Sequence, residues 1–287
     1  MEKIEWPDNK RFGVFLSHDV DRVKKTYQVL TNFFVERRAY HLFSIFEKQN
    51  PYWSFEKIME LEKELDVRST FFFLKESKKL EVFKPSTYIL SLGHYDFKNP
   101  DVTQIIKKLD AGGWEIGLHG SYESYKNEKL MKREKEELEK VLNKSIFGIR
   151  QHYLNLNIPR TWEIQQKIGF KYDASFGFRD KIGFRDDRIM PFKPFNSEFL
   201  VIPLNVMDGV VFSVYDDKIR WKQISTLINF AEKKRGLISF LWHQRVFNDK
   251  EFPGWATMYE KIIKECQEKK AWFATGKEIC NWISING

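Results

Sequence analysis

Short runs rich in β-branched and aromatic residues alternate with longer charged, amphipathic segments along nearly the whole chain, and this alternation constrains the fold more than any other feature. The runs are RFGVFLSH from Arg11, RSTFFFL from Arg68, WEIGLHG from Trp114, SIFGIR from Ser145, FKYDAS from Phe170, EFLVIPL from Glu198, GLISFLWH from Gly236 and AWFAT from Ala271. Strand then helix, repeated in this way, predicts an α/β fold with a distorted parallel (β/α) barrel of seven or eight strands. Several strands read as almost continuous apolar runs, as required where helices cover one side and a packed interior the other. PDVTQIIKKLDAGG is a helix bounded by Pro100 and a glycine pair. The charged stretch from Asn127 is another, with an apolar stripe of Leu130, Leu138, Val141 and Leu142. The connection from Tyr27 to Asp66 is too long for one crossover and is expected to be a helical insertion, 27–66, that shapes the cleft.

With 287 residues and 42% hydrophobic content the chain can bury one large core, so a single domain spanning 1–287 is expected. The net charge of +8 is spread along the sequence, without the basic stripe and interleaved aromatics of a nucleic-acid binder. No run approaches about 18 apolar residues, and the first residues lack the pattern of a secretion signal. The expectation is therefore a cytoplasmic protein with neither nucleic-acid binding nor membrane insertion. Cys266 and Cys280 lack metal-ligand spacing and are read as buried thiols.

In a parallel barrel, reactive groups stand at the C-terminal ends of strands. Those ends carry His18, Asp19 and Asp21, then His119, then Arg150 and His152, then Asp173, and finally His243, whereas His94 falls in a loop and His41 in the insertion. Residues two apart in extended backbone point the same way, so Asp19 with Asp21, and Arg150 with His152, can each enter one site. Asp21 could instead cap the helix that follows it. Asp19 is the natural acid for a buried Arg150.

These segments, in this order, resemble the polysaccharide deacetylase family, the NodB homology domain of carbohydrate esterase family four, from about Phe12 to the C-terminus. LSHDVDR is similar to the family's opening motif, STFFFL to its next strand, GGWEIGLHGSYES to its second motif, GIRQHYL to its third, GFKYDAS to its fourth and SFLWH to its fifth. The resemblance implies Asp19 as catalytic base, Arg150 as the residue that orients it, His243 as catalytic acid and Asp173 as the group that orients the acid. It implies Asp21 and His119 as ligands of a divalent metal, zinc first, with cobalt or nickel as alternatives. The second motif normally supplies another histidine four residues on, and here that position is Glu123, taken as the third ligand with His152 and Ser124 as rivals. His152, Tyr153, Asp208 and Trp255 are expected to contact a carbohydrate substrate, Trp255 as an aromatic platform.

The implied activity is removal of an N-acetyl group from an amino sugar. The alternatives are a cyclic amide or ureide hydrolase, a sugar O-acetyl esterase on the same site, and a glycan-binding protein with a degenerate metal site.

Overall fold

A computed structural model describes residues 5–76 and 91–286; the other positions of the 1–287 span lie outside the described residues. All eight runs read from the sequence form strands: β1 Gly13–Val20, β2 Thr70–Leu74, β3 Glu115–Gly120, β4 Gly148–Gln151, β5 Tyr172–Asp173, β6 Leu200–Val201, β8 Leu237–Leu241 and β9 Trp272–Phe273. A ninth, β7 Val206–Met207, is added in the segment after β6. The sheet runs β6-β5-β4-β3-β2-β1-β8-β7, its named strand pairs are all parallel, and β9 pairs with the start of β1. No pairing joins β6 to β7 among the described residues, so the barrel curls without closing there.

Alternation along the strands sorts side chains between two layers. Val14, Leu16 and Val20 of β1, Phe71 and Phe73 of β2, and Ile116 and Leu118 of β3 pack in the layer beneath the helices. Phe15 and Phe72 face the interior with Tyr172, which meets both rings edge-on at centroid distances of 6.3 and 6.4 Å. Each such fully buried side chain contributes about 1.5–3 kcal/mol of transfer free energy. The interior is too full for a larger residue at Gly117, where an added Cβ would stand 2.6 Å from the Phe72 ring.

The same parity decides the fate of the polar residues at the end of β1. Ser17 and Asp19 continue the inward set of Phe15, while His18 goes outward. There it is fully buried, with Nδ1 2.7 Å from the Trp242 carbonyl oxygen and Nε2 2.8 Å from Glu62 Oε1. Tyr259 and Trp114 also donate to Glu62, at 2.7 Å each. His18 therefore belongs to a core polar network that ties β1 to the helix layer.

The 27–66 segment is helical as expected, but it has two parts. α1 (Gln28–Glu36) and α2 (Tyr40–Phe43) are an excursion, whereas α3 (Phe55–Glu64) buries Phe55, Ile58 and Glu62 and is the barrel helix that leads into β2. α4 (Pro100–Ala111) is capped by Asn99, and α5 (Glu128–Leu142) by Asn127. No helix among the described residues is long and apolar enough to cross a membrane.

Candidate active site

A cleft of about 550 Å³ opens over the C-terminal strand ends and is lined by Asp19, Asp21, His119, His152, Tyr153, Asp208, His243 and Trp255, together with Arg22, Arg179 and Arg245. Arg150 lies beneath it, fully buried. Its Nη1 donates to Asp19 Oδ1 at 2.9 Å and to Ser17 Oγ at 2.9 Å, its Nε to the Ala174 carbonyl at 2.9 Å, and its guanidinium covers the Phe72 ring at 4.6 Å. Asp19 is thus clamped by one oxygen, and its Oδ2 lies 3.7 Å from His119 Nε2.

Asp21 is the centre of the polar cluster. Its Oδ1 is 3.3 Å from His119 Nε2 and 3.8 Å from His152 Nε2. Its Oδ2 accepts from Arg245 Nη1 at 2.9 Å and lies 3.5 Å from His243 Nε2. Burial opposes ionisation of Asp21, but His119, His243, His152 and Arg245 together hold its carboxyl well below the usual range. Burial likewise opposes a charged His119, and the Asp19 and Asp21 carboxylates more than offset it, raising the imidazole above its ordinary value. A negative field that draws a proton onto an imidazole also draws a cation.

One ligand atom from each of Asp21, His119 and His152 falls within 4.8 Å of the other two. The hydrogen bonds behind these atoms suit a metal site. His119 Nδ1 is 2.9 Å from the Arg150 carbonyl, which fixes the proton on Nδ1 in the neutral ring and turns the Nε2 lone pair to the cluster. His152 Nδ1 is 3.4 Å from Glu76 Oε2, leaving its Nε2 on the cluster side. Asp21 Oδ1 is buried without a hydrogen-bond partner. Two imidazole nitrogens facing this buried carboxylate oxygen suit a positive charge between them. The donor set of one oxygen and two nitrogens fits a divalent metal ion.

Glu123 is not in this group. It forms an ion pair with Lys126 at 2.5 Å and lines a separate surface depression with Asn127, Glu128 and Lys129. It lies at a turn after β3, where strand parity no longer fixes direction, and the side chain that stands beside Asp21 and His119 is His152. Ser124 is fully buried and spent on the Ser121 carbonyl and Gln151 Oε1, both at 2.9 Å.

Asp173 does not meet His243 either. Its carboxylate accepts from the Ser175 backbone N–H and hydroxyl, from Gln165 and from Trp162, and so shapes the turn after β5 whose Ala174 carbonyl receives Arg150. The partner of His243 is Asp208, expected only to touch substrate. Its carboxylate accepts the His243 backbone N–H at 2.7 Å and stands 2.9 and 3.0 Å from Nδ1. Burial would lower the His243 pKa; Asp208 and Asp21 outweigh burial and Arg245, and the net effect is upward. Trp255 and Tyr153 line the cleft; Trp255 stacks on Phe212 at 4.1 Å, and Tyr153 is half exposed beside His152. Glu76 and Arg245 were not singled out from the sequence. Arg245 was within reach, because it stands two residues after His243.

No protein-family model matches the sequence, and no curated protein matches it. Solved structures do. A protein assigned as a polysaccharide deacetylase from Mycobacterium smegmatis is 17% identical, with 99% of this chain and 94% of that chain covered and a TM-score of 0.66. The PuuE allantoinase is 14% identical over 98% of this chain and 93% of its own, with a TM-score of 0.65. A protein assigned as a polysaccharide deacetylase from Pseudomonas aeruginosa PAO1 is 15% identical over 97% and 92%, with a TM-score of 0.63. The chain has the fold of these proteins.

Proposed function

We propose that this chain, whose fold is that of the polysaccharide deacetylases and of an allantoinase, is a metal-dependent hydrolase that removes an N-acetyl group from an amino sugar. The observation that carries the reading is one constellation: Asp19 clamped by Arg150, the Asp21–His119–His152 cluster beside it, and His243 held by Asp208 across the same cleft.

Amide hydrolysis needs a polarised carbonyl, an activated water and a protonated leaving amine. A divalent ion at Asp21, His119 and His152, zinc being the first candidate, supplies Lewis acidity and lowers the pKa of water when bound. Asp19 is placed to accept the proton of the attacking water through Oδ2, because Oδ1 is committed to Arg150. His243 faces the cleft with Nε2, while Nδ1 is held by Asp208, so a proton on Nε2 can pass to the amine nitrogen as the C–N bond breaks. Asp208 favours the protonated ring and fixes its orientation. Trp255 and Tyr153 offer apolar faces for a sugar ring in the cleft wall.

The test is acetate release from N-acetylated amino sugars, free and linked to nucleotide or lipid carriers, by chelator-treated protein before and after zinc or cobalt is restored. The reading predicts release that depends on the metal and falls by about 10² or more in Asp19→Asn. Ring opening of a cyclic ureide without acetate release would replace it with the cyclic-amide alternative. Saccharide binding with no turnover under any metal would replace it with the glycan-binding one.

A further inference from the structure

The α1–α2 excursion carries its polarity inside out. α1 buries Gln28 and Val29 but leaves Leu30, Phe34 and Val35 56%, 73% and 82% exposed. α2 and the turn that follows bury His41 and Ser44 and leave Phe43, Ile45 and Phe46 66%, 61% and 79% exposed. The inward side is held by charges: Lys25 Nζ is 2.8 Å from His41 Nδ1 and 2.7 Å from Glu251 Oε2, and Asn32 donates to the other oxygen of Glu251. Polar contacts therefore anchor the excursion to the barrel, while aromatic and aliphatic side chains point away from it. An element in water orders itself the other way round. These six side chains fall within one short segment, whereas the remaining exposed large hydrophobics among the described residues are scattered from Leu92 to Ile285.

The charges around the patch select its partner. Arg37, between the two helices, and Lys48, two residues after Phe46, are exposed, and exposed Lys24 lines one surface depression with Lys48. The acids are matched: Glu36 lies 2.9 Å from His41 and 3.5 Å from Arg38, and Glu47 pairs with Lys250 at 2.7 Å. A second copy of the chain would present the same cations and the same net charge of +8, so like charges would meet. An anionic lipid surface satisfies both the apolar side chains and the cations.

We propose that α1 and α2 seat the protein on an anionic lipid surface, with Leu30, Phe34, Val35, Phe43, Ile45 and Phe46 at the boundary of headgroups and acyl chains. No helix among the described residues is long and apolar enough to span a bilayer, and the proposed contact is that of α1 and α2 alone. The excursion is continuous with the cleft: Glu251 holds Lys25, and the next residue, Phe252, lines the cleft wall. Lipid binding would thus bring the cleft beside the membrane, which suits a sugar carried on a lipid. That consequence rests on the catalytic reading above; the lipid contact does not.

The experiment is sedimentation of the full chain with vesicles of phosphatidylcholine and phosphatidylglycerol, beside vesicles of phosphatidylcholine alone. The wild type is expected to partition onto the anionic vesicles and less onto the neutral ones. Phe34→Glu combined with Phe46→Glu should lower partitioning by about tenfold or more while the circular dichroism spectrum and metal content stay unchanged. Wild type that remains in the supernatant with anionic vesicles overturns the proposal, as does a double variant that partitions like wild type. A wild-type dimer that the double variant splits, with no vesicle binding, assigns the patch to a second copy instead.

Discussion

In the proposed reaction the acid is His243, and its charge is set by Asp208. The Asp208 carboxylate at Nδ1 raises the imidazole pKa against the opposing effects of burial and Arg245. A group that donates a proton works below its pKa, so the rate of an acid-dependent step falls as pH climbs through that value. Removing the negative partner in Asp208→Asn lowers the His243 pKa, and the alkaline limb of the rate profile should move to lower pH, with turnover reduced about 10²-fold. Asp173→Asn should leave that limb in place, because Asp173 touches Ser175, Gln165 and Trp162 and not His243. A pH–rate profile of both variants checks the assignment; a limb moved by Asp173→Asn and not by Asp208→Asn contradicts it. Two-residue spacing was a good guide at the end of β1, where Asp19 and Asp21 both line the cleft; at the end of β4 it puts His152 in the cleft wall and Arg150 beneath it, on Asp19. It was no guide to pairing across the barrel. Asp173 and Asp208 both stand at strand ends, and only the curl of the sheet brings β7, beside β8, next to His243.

At the scale of elements, α5 steadies the strand end that carries His119. Glu134 on α5 accepts from the Ser121 hydroxyl at 2.5 Å and from its backbone N–H at 3.2 Å, two residues after His119. Burial raises this carboxyl to about 8 from an ordinary value of 4.5, since Ser121 offers only neutral donors against it. Between those values the unfolded chain releases the proton and the folded protein keeps it. The contribution of Glu134 is therefore complete below about pH 4.5 and is lost as pH rises towards 8. Urea unfolding at pH 5 and pH 8 should show a loss in wild type that is smaller in Glu134→Gln by on the order of a few kcal/mol. An identical loss in both proteins would contradict the assignment. The strands were legible because β-branched and aromatic runs stood between turn signals, and helices α4 and α5 were legible from Pro100 with its glycine pair and from the charged stretch that starts at Asn127, although their caps, Asn99 and the Asn127 side chain, were not read. β7 was not, because two residues of extended chain in PLNVMDG give no period to read. The 27–66 stretch was read as a helical insertion throughout, and α3, which buries Phe55, Ile58 and Glu62, was not told apart from it as a barrel helix.

Across the whole molecule, the candidate metal site joins parts of the chain that are far apart in sequence. Asp21 follows β1, His119 lies at the end of β3 and His152 follows β4, so a cation held there would tie these three strand ends together across β2, at the mouth of an open barrel. Sequence order alone left the third ligand open between Glu123, His152 and Ser124. The parallel register of β3 and β4 pairs His119 with Arg150, which places His152 just beyond, over the same site. The measurement that tests this account most directly is elemental analysis of zinc-loaded, desalted protein, comparing wild type with His152→Ala and Glu123→Ala. About one retained ion per chain is predicted in wild type and in Glu123→Ala, with loss in His152→Ala. Retention in His152→Ala with loss in Glu123→Ala, or no ion held by wild type, would contradict the account.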